Sequence, residues 1–341
     1  MKRLIAGILA ACLLFSLAAC SPKPAAPSNS LPQGGSQTQA PAQTRKLTFS
    51  HVFQTNHPVH IALTEANEQL KEKSGGRLEL EIFPNSTYAT YNDSVSAVRM
   101  GTLDMACLDS ASDWLPKAGI VLGPYVFRSY DHWKNFKASD LYDNLRQEVS
   151  DAVGVVQLDM YNFGFRHMTG NKIFRSTEDF KGTVLRVVDF PPYSELATIF
   201  DASVTATPIS EVYMALQSGV VNAQENPVTQ ITTMKFYEVQ DYLMLTAHML
   251  AVSSTIISKN TWDSLSAEDQ QLLREVFKAE AERIEEIVVE NEAKLIQECV
   301  DGGMTLVDDI DTTPFRARVP LVLEKYPEWV DIYNNIQTLE G

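Results

Sequence analysis

The alternation of strand-like and helix-like segments is the feature that most limits the folds open to this chain. Residues 47–52 and 78–83 alternate apolar and polar side chains, as strands do, and a helix-period segment at 59–73 separates them. A second helical segment ends at Gly101, and residues 103–108 return to a strand pattern. This order of segments predicts an α/β lobe with a mostly parallel sheet.

The same order of segments returns later in the chain. The predicted elements there are strands at 181–188, 204–207 and 220–223 and helices at 193–200 and 210–218. Gly101 and Gly219 both follow a helix end, and each is followed by two spacer or apolar residues and a small acid or amide. We therefore predict two lobes that face each other across a cleft. Ligands of open α/β sheets bind beyond the carboxyl ends of the strands, and Asp109 and Asn226 are the residues expected there.

A long helix predicted from Ser266 to about Val300 also indicates two lobes. Ser266 can cap it, and at about 1.5 Å per residue it would span roughly 50 Å, which is longer than one lobe is wide. The predicted domains are lobe I at 46–163 plus about 250–290, lobe II at 164–249 plus about 291–320, and a tail at 321–341 packed on the surface.

The first residues of the chain predict export. Lys2 and Arg3 precede a short apolar segment that ends in Leu17-Ala18-Ala19-Cys20. We interpret residues 1–19 as a lipoprotein signal peptide, with acylation of the Cys20 thiol after cleavage. The alternative is an ordinary secretory signal with a chance cysteine. Residues 20–45 are rich in Ser, Pro, Ala, Gln and Gly, which is typical of a flexible tether.

The charge of the chain limits its partners. Lys and Arg number 28 against 43 Asp and Glu, so the net charge of −15 argues against nucleic acid and against an anionic membrane surface. A protein this acidic must bind an anion through a local cluster of donors. Cys107 and Cys299 either pair or remain isolated buried thiols, since the chain has no CxxC and no zinc spacing.

No motif of catalysis or cofactor binding stands out, and we expect neither a cofactor nor a metal ion. The chain lacks G-x-S-x-G, H-E-x-x-H, a phosphate loop and a dinucleotide fingerprint. His57 and His60 could suggest a metal pair, but histidines before a helix are more often caps or surface residues.

Two arginines in apolar, strand-like segments are the most informative residues. Arg166 ends the aromatic run Asn162-Phe163-Gly164-Phe165, and Arg186 lies within the apolar segment 184–188. A guanidinium buried there is costly unless it meets an anion. Either each arginine pairs with an internal Asp or Glu, or one is left open to bind a ligand carboxylate through its planar fork.

Several stretches together resemble the DctP-type solute-binding proteins of tripartite ATP-independent periplasmic (TRAP) transporters. The matching stretches, in family order, are Phe83-Pro84-Asn85-Ser86, Gly101-Thr102-Leu103-Asp104-Met105, Asp179-Phe180-Lys181-Gly182, Leu185-Arg186-Val187, Glu211-Val212-Tyr213-Met214-Ala215-Leu216-Gln217-Ser218-Gly219, Gln224-Glu225-Asn226-Pro227 and Lys235-Phe236-Tyr237-Glu238-Val239-Gln240. The resemblance covers nearly all of the chain from Leu47 to about Glu324. It implies an α/β, two-lobed periplasmic-binding-protein fold (type II-like) with a long helix spanning both lobes.

The resemblance also implies roles for individual residues. Arg186 would pair with the ligand carboxylate, with Arg166 supporting it and Asn226 contacting the same group. Asp109 would meet the far end of the ligand. The chain departs from familiar members at Ile209, where an aromatic residue is common. Phe190 and Tyr193, which follow the binding arginine, are expected to line the far side of the ligand.

The resemblance implies an extracytoplasmic protein that captures a small organic acid and delivers it to a TRAP membrane permease. We expect a monomer that is held at the outer face of a membrane by the lipid on Cys20. One alternative is a ligand sensor for a signalling receptor, which would use the same fold. A lyase acting on uronic acids is the other alternative, but no acid–base pair stands out for it.

Overall fold

The computed structural model describes residues 44–341, so the predicted signal peptide, the lipidated Cys20 and nearly all of the tether lie outside the described residues. Within 44–341 no helix is both long and apolar enough to cross a membrane. The strands are β1 Arg45–Ser50, β2 Leu78–Phe83, β3 Met105–Cys107, β4 Val155–Gly170, β5 Val184–Val187, β6 Ser203–Ala206, β7 Ala223–Pro227, β8 Tyr242–Ser258 and β9 Thr305–Val307.

Helices alternate with most of these strands. The α-helices are α1 Pro58–Lys73, α2 Tyr91–Met100, α3 Tyr130–Lys137, α4 Asp140–Val153, α5 Pro191–Ser194, α6 Leu196–Phe200, α7 Ile209–Gln217, α8 Val228–Thr233, α9 Lys259–Asp263, α10 Ala267–Asp301, α11 Thr313–Arg316, α12 Val319–Leu323 and α13 Pro327–Gln337. Three short 3-10 helices cover Pro116–Leu122, Thr177–Phe180 and Phe236–Glu238.

One sheet connects all the strands, in the order β2-β1-β3-β8-β4-β7-β5-β6, with β9 paired to β8. β1 pairs in parallel with β2 and β3, and β5 pairs in parallel with β6 and β7. These two parallel groups are the repeated strand–helix units that the sequence predicts. The helices α2 and α7 are both followed by a left-handed glycine, Gly101 (φ 75) and Gly219 (φ 73), as the comparison of the two segments predicts.

The long strands β4 and β8 link the two parallel groups. They have 16 and 17 residues and pair antiparallel, from Val155 opposite Ser258 to Gly170 opposite Tyr242. Their register shifts between Asn162 and Phe165, around Gly164 at φ 116. The predicted lobe boundary at residues 163/164 falls on this irregular stretch, and the boundary stays a prediction.

Helix α10 packs against helices that follow strands of both parallel groups, and against β4. It has 35 residues, and the Ser266 side chain caps it by accepting a hydrogen bond from the Asp269 amide. It contacts α1, β4 and α8, and Gly302 ends it. The predicted long helix and its serine cap are therefore confirmed.

The strand predicted at 220–223 is wrong. β7 begins at Ala223 and continues to Pro227, because it pairs antiparallel with β4 and places Met168 opposite Glu225 and Arg166 opposite Pro227. Asn226 therefore lies within a strand and not just beyond one. The predicted helix at 193–200 is also divided, since α5 ends at Ser194 and α6 begins at Leu196.

Glu280 is a buried acid on the inner face of α10. Its side chain is close to fully buried, and Oε1 has no hydrogen-bond partner among the described residues. Burial raises the pKa of Glu280 to about 8, with the nearby charge of Asp159 adding to the shift. The helix therefore packs a neutral carboxylic acid against the sheet at neutral pH.

Relative to the wild type, Glu280→Gln is expected to become increasingly stable as the pH rises towards 8. The pKa of Glu280 is raised from 4.5 in the unfolded chain to about 8 in the fold, so its favourable contribution is complete below about pH 4.5 and is lost as the pH rises through 8. In this window each pH unit should widen the difference in unfolding free energy by up to about 1.4 kcal/mol.

Urea unfolding at several pH values between 5 and 8.5 measures this difference. Glu282→Gln, on an exposed position of the same helix, is the matched control and should follow the wild type. An equal effect of Glu280→Gln at both ends of the range would contradict the assignment of a protonated, buried Glu280.

Candidate functional site

A cavity of about 260 Å³ lies between the two parallel groups of strands. It brings together all seven of the predicted ligand-binding residues, which are Asp109, Arg166, Arg186, Phe190, Tyr193, Ile209 and Asn226. They come from β4, β5, β7, α5, the start of α7 and the loops after β3 and β5, so only the fold brings them close together.

Arg186 is a buried cation without an acidic partner among residues 44–341. It lies in β5 with 1% of its surface exposed. Nε and Nη2 donate to the backbone carbonyl of Thr207, at 2.9 Å for Nε, while Nη1 is buried and has no partner. The pKa of Arg186 is lowered to about 10, mainly by burial and in part by the charge of Arg166, against the opposing effect of Glu225. The guanidinium therefore stays charged at neutral pH.

Arg166 differs from Arg186 because a buried acid already compensates its charge. Its Nε donates to Oε2 of Glu225 and its Nη2 to Oε1 at 2.9 Å, and both side chains are buried. Nη2 also donates to the Glu225 carbonyl at 2.7 Å. Burial by itself would raise the pKa of Glu225, but Arg166 and His248 lower it below its usual range. Arg166 and Glu225 thus form an ion pair at the back of the cavity.

His248 contacts the Glu225 carboxylate at the oxygen that also accepts from Arg166 Nε. Its Nε2 lies 3.2 Å from Oε2 of Glu225, and its Nδ1 lies 2.8 Å from the Thr246 hydroxyl. Burial lowers the pKa of His248, so the ring is neutral. We infer that Nε2 carries the proton and donates to the carboxylate. Both oxygens of Glu225 are therefore occupied within the protein.

Asn226 is fixed by hydrogen bonds at both ends of its amide. Oδ1 accepts from Nη2 of Arg166 at 2.9 Å, and Nδ2 donates to Oε1 of Gln224 at 2.6 Å. Its backbone is extended, as expected before Pro227. The amide faces the cavity in one orientation, with one Nδ2 hydrogen left beyond the bond to Gln224.

Asp109 lies at another part of the cavity wall, after β3. Its backbone amide donates to the Tyr91 hydroxyl, and its Oδ1 is buried without a partner among the described residues. Burial raises the pKa of Asp109 to about 6, although Ser253 and the charge of Arg166 lower it in part. The carboxylate is thus an acceptor whose burial is not yet offset by a full set of hydrogen bonds.

Aromatic rings form much of the remaining wall. The Arg166 guanidinium lies 4.9 Å from the centre of the Tyr193 ring, and Phe190 contacts Tyr91 edge to face at 5.0 Å. Phe53 and Phe163 also line the cavity and contact each other at 5.4 Å.

Sequence reasoning missed Phe53, Tyr91, Phe163 and Gln230 as cavity residues. Nothing in their local pattern separates them from core aromatics or from an ordinary helical glutamine. Gln230 lies on α8, one turn beyond the predicted Asn226, and that proximity was the one available signal.

The histidines near the start of α1 make hydrogen bonds within the protein, and both cysteines of the described residues are free thiols. His57 caps α1 by accepting from the Val59 amide at 3.2 Å, and His51 bonds to His60 at 3.0 Å. In the described part of the chain no group of three or more His, Cys, Asp or Glu side chains is placed to hold a metal ion. Cys107 and Cys299 are both free and buried, so the alternative that they pair is wrong.

Comparisons with known proteins agree on one class. The family model described as bacterial extracellular solute-binding protein, family 7 (DctP), matches residues 49–328. The sialic acid-binding periplasmic protein of Vibrio cholerae is 33% identical over 75% of this chain and 81% of the relative. The 2,3-diketo-L-gulonate-binding periplasmic protein of Escherichia coli is 28% identical over 80% of this chain and 83% of the relative.

Solved structures share the fold. A TRAP periplasmic solute-binding protein from Fusobacterium nucleatum with bound sn-glycerol-3-phosphate has a TM-score of 0.81 at 26% identity, covering 86% of this chain and 97% of that structure. A second one, from Roseobacter denitrificans with bound L-galactonate, has a TM-score of 0.78 at 25% identity, covering 86% and 98%.

Glu225→Gln is expected to destabilise the fold. It removes the counter-charge of a buried guanidinium, and breaking a buried ion pair on one side costs about 3–5 kcal/mol. Chemical unfolding measures the loss. Glu178→Gln, in an exposed pair with Lys181, is the matched control and should change stability little. Equal effects of the two substitutions would contradict the assignment of the Arg166–Glu225 pair as a structural contact.

Proposed function

Because this chain belongs to family 7 of the bacterial extracellular solute-binding proteins, we propose that Arg186 binds the carboxylate of its organic-acid ligand. The protein is an extracytoplasmic solute-binding protein of a TRAP transporter and not an enzyme. It captures a small carboxylate and delivers it to the membrane permease.

The observation that carries the proposal is the uncompensated charge of Arg186. Glu225 neutralises Arg166 and also accepts from His248, and no acid of residues 44–341 forms an ion pair with Arg186. A ligand carboxylate supplies the missing anion and accepts from Nη1. Asn226 lies beside this position, oriented by Arg166, and can donate without adding charge.

The known ligands of similar proteins are compatible with this arrangement. The names of the relatives and neighbours include sialic acid, 2,3-diketo-L-gulonate and L-galactonate. These molecules differ in size and in hydroxyl pattern, and each carries a carboxylate. We propose that Arg186 and Asn226 bind the group that they share, whereas Asp109, Phe190, Tyr193 and Ile209 contact the part that differs.

Closure of the two lobes follows from the same contacts. A carboxylate that enters the open cavity gains hydrogen bonds to Arg186, and the closed form adds contacts from the opposite wall, including Asp109 and Phe53. Each hydrogen bond to a charged group contributes about 1.5–3 kcal/mol. Two or three of them, with stacking on the aromatic wall, give roughly −8 kcal/mol, which corresponds to micromolar binding. We propose that β4 and β8 bend at the irregular pairing around Gly164.

The proposed cellular location of the protein rests on its N-terminal segment. We propose that Cys20 is acylated after removal of residues 1–19, and that residues 20–45 tether a monomeric body to the outer face of a membrane. Tethering keeps the protein at high effective concentration near its permease.

Cys20→Ser is expected to release the protein from the membrane, because the residue that would carry the lipid is lost. Detergent phase partitioning of cells producing the wild type and the variant measures this change. The wild type should enter the detergent phase and the variant the aqueous phase. Wild type in the aqueous phase would contradict acylation without touching the proposal for Arg186.

Arg186→Met is expected to weaken ligand binding by about a hundredfold, because the charged hydrogen bond from Nη1 is lost and the ligand carboxylate is left without its counter-charge. Isothermal titration calorimetry with a panel of organic acids measures the affinities. Arg175→Met is the matched control, since Arg175 is exposed and pairs with Asp309 at 2.8 Å. Full affinity of Arg186→Met for an acid that the wild type binds would overturn the proposal.

A further inference from the structure

The cavity has an apolar inner wall and a polar rim. Phe53, Phe163, Phe190 and Tyr193 line it and are all buried, with 7% exposure at most. The polar lining residues Thr90, Asn92, Asp189 and Ser210 are instead exposed at the mouth. A ligand that enters fully therefore contacts aromatic rings.

Few polar groups of the inner wall are left unpaired. Arg186 Nη1 and Asp109 Oδ1 are buried and lack a partner within residues 44–341. The buried Gln230 amide and the Tyr193 hydroxyl also make no hydrogen bond with the rest of this part of the chain. These four groups and the Asn226 amide are the polar contacts that the buried side chains of the cavity lining offer to a ligand. A sugar acid with four or five hydroxyls would leave some of them without partners, at a cost for each buried one.

Arg186 and Asp109, the two residues with a buried unpaired atom, prefer different groups of a ligand. The Arg186 guanidinium donates only, so it selects an anionic acceptor. An ionised Asp109 accepts only, so it selects a hydroxyl or an ammonium group and repels a second carboxylate. Gln230 can serve either end, because its amide both donates and accepts.

The volume of the cavity in this structure points the same way. At about 260 Å³ the cavity lies below the usual range for ligand pockets, which is about 300–1,000 Å³. This favours a compact molecule.

Resting on the proposed role of Arg186, we infer that the ligand is a compact monocarboxylate with one hydroxyl or ammonium group at its far end and an otherwise apolar carbon skeleton. The carboxylate meets Arg186, the far group meets Asp109, and the skeleton lies against the aromatic wall. Gln230 is a specificity-determining residue that satisfies the remaining polar atom of the ligand. Dicarboxylates and polyhydroxylated acids are disfavoured.

A chain-matched series tests this inference. Straight-chain acids of four to six carbons are compared by calorimetry with the far carbon bearing an amino, a hydroxyl, a methyl or a carboxyl group, with gluconate as the polyhydroxylated member. The mature wild-type protein should bind an amino or hydroxyl member about tenfold or more tightly than the methyl and carboxyl members of the same length. Tightest binding of gluconate or of a dicarboxylate would overturn the inference, as would binding of none of the series.

Two variants separate this inference from the role of Arg186. Asp109→Asn should reduce the preference for the amino over the carboxyl member by about tenfold or more, because repulsion of the second carboxylate is removed. Gln230→Leu should weaken the best member while the fold, followed by thermal unfolding, is retained. An unchanged preference in Asp109→Asn overturns the assigned far-end contact.

Native mass spectrometry distinguishes failure of the inferred ligand class from failure of the proposed role of Arg186. The protein is purified without refolding, and any molecule that remains bound is identified in the wild type and in Arg186→Met. A bound dicarboxylate or sugar acid that disappears in Arg186→Met rejects only the ligand class. A bound acid that persists in Arg186→Met rejects the role of Arg186 itself.

Discussion

The burial of an unpaired guanidinium is the constraint on which the functional account depends. Transferring a charge from water into a protein interior is costly unless an opposite charge and hydrogen bonds replace the solvent. At Arg186 the protein supplies one backbone carbonyl, that of Thr207, and no acid from residues 44–341. We propose that a bound anion completes this environment, with the ligand compensating a charge that the fold leaves unpaired.

The charge of the neighbouring Arg166 is instead compensated by an acid of the protein. Glu225 and Asn226 surround it, and its charge orients the Asn226 amide. This placement depends on the antiparallel pairing of β4 with β7, which lays Arg166 beside the Glu225–Asn226 pair. One arginine is therefore part of the scaffold, and the other is the one that we propose faces the ligand, although both look alike in the sequence. The long strands β4 and β8 hold this scaffold across the middle of the single sheet.

Strong local patterns were sufficient to predict the repeated α/β units, the two buried arginines and the placement of Asp109 and Asn226, whereas the other predicted cavity residues came from the family resemblance. Period-two strands, glycine stops and the serine cap at Ser266 each fix an element locally. The extent of β7 was not predictable, because it is set by pairing with β4 and not by its own residues. Which of 43 acids neutralises Arg166 was equally hidden, since that depends on the register. Phe53, Phe163 and Gln230 reach the cavity only through the packing of distant elements.

A crystal structure of the protein purified with its own ligand would give the distance from Arg186 Nη1 to the nearest ligand oxygen. The account predicts a carboxylate oxygen at about 2.7–2.9 Å from Nη1, with Glu225 still bound to Arg166. A ligand carboxylate that contacts other residues, with Arg186 paired to an acid of the protein, would contradict it.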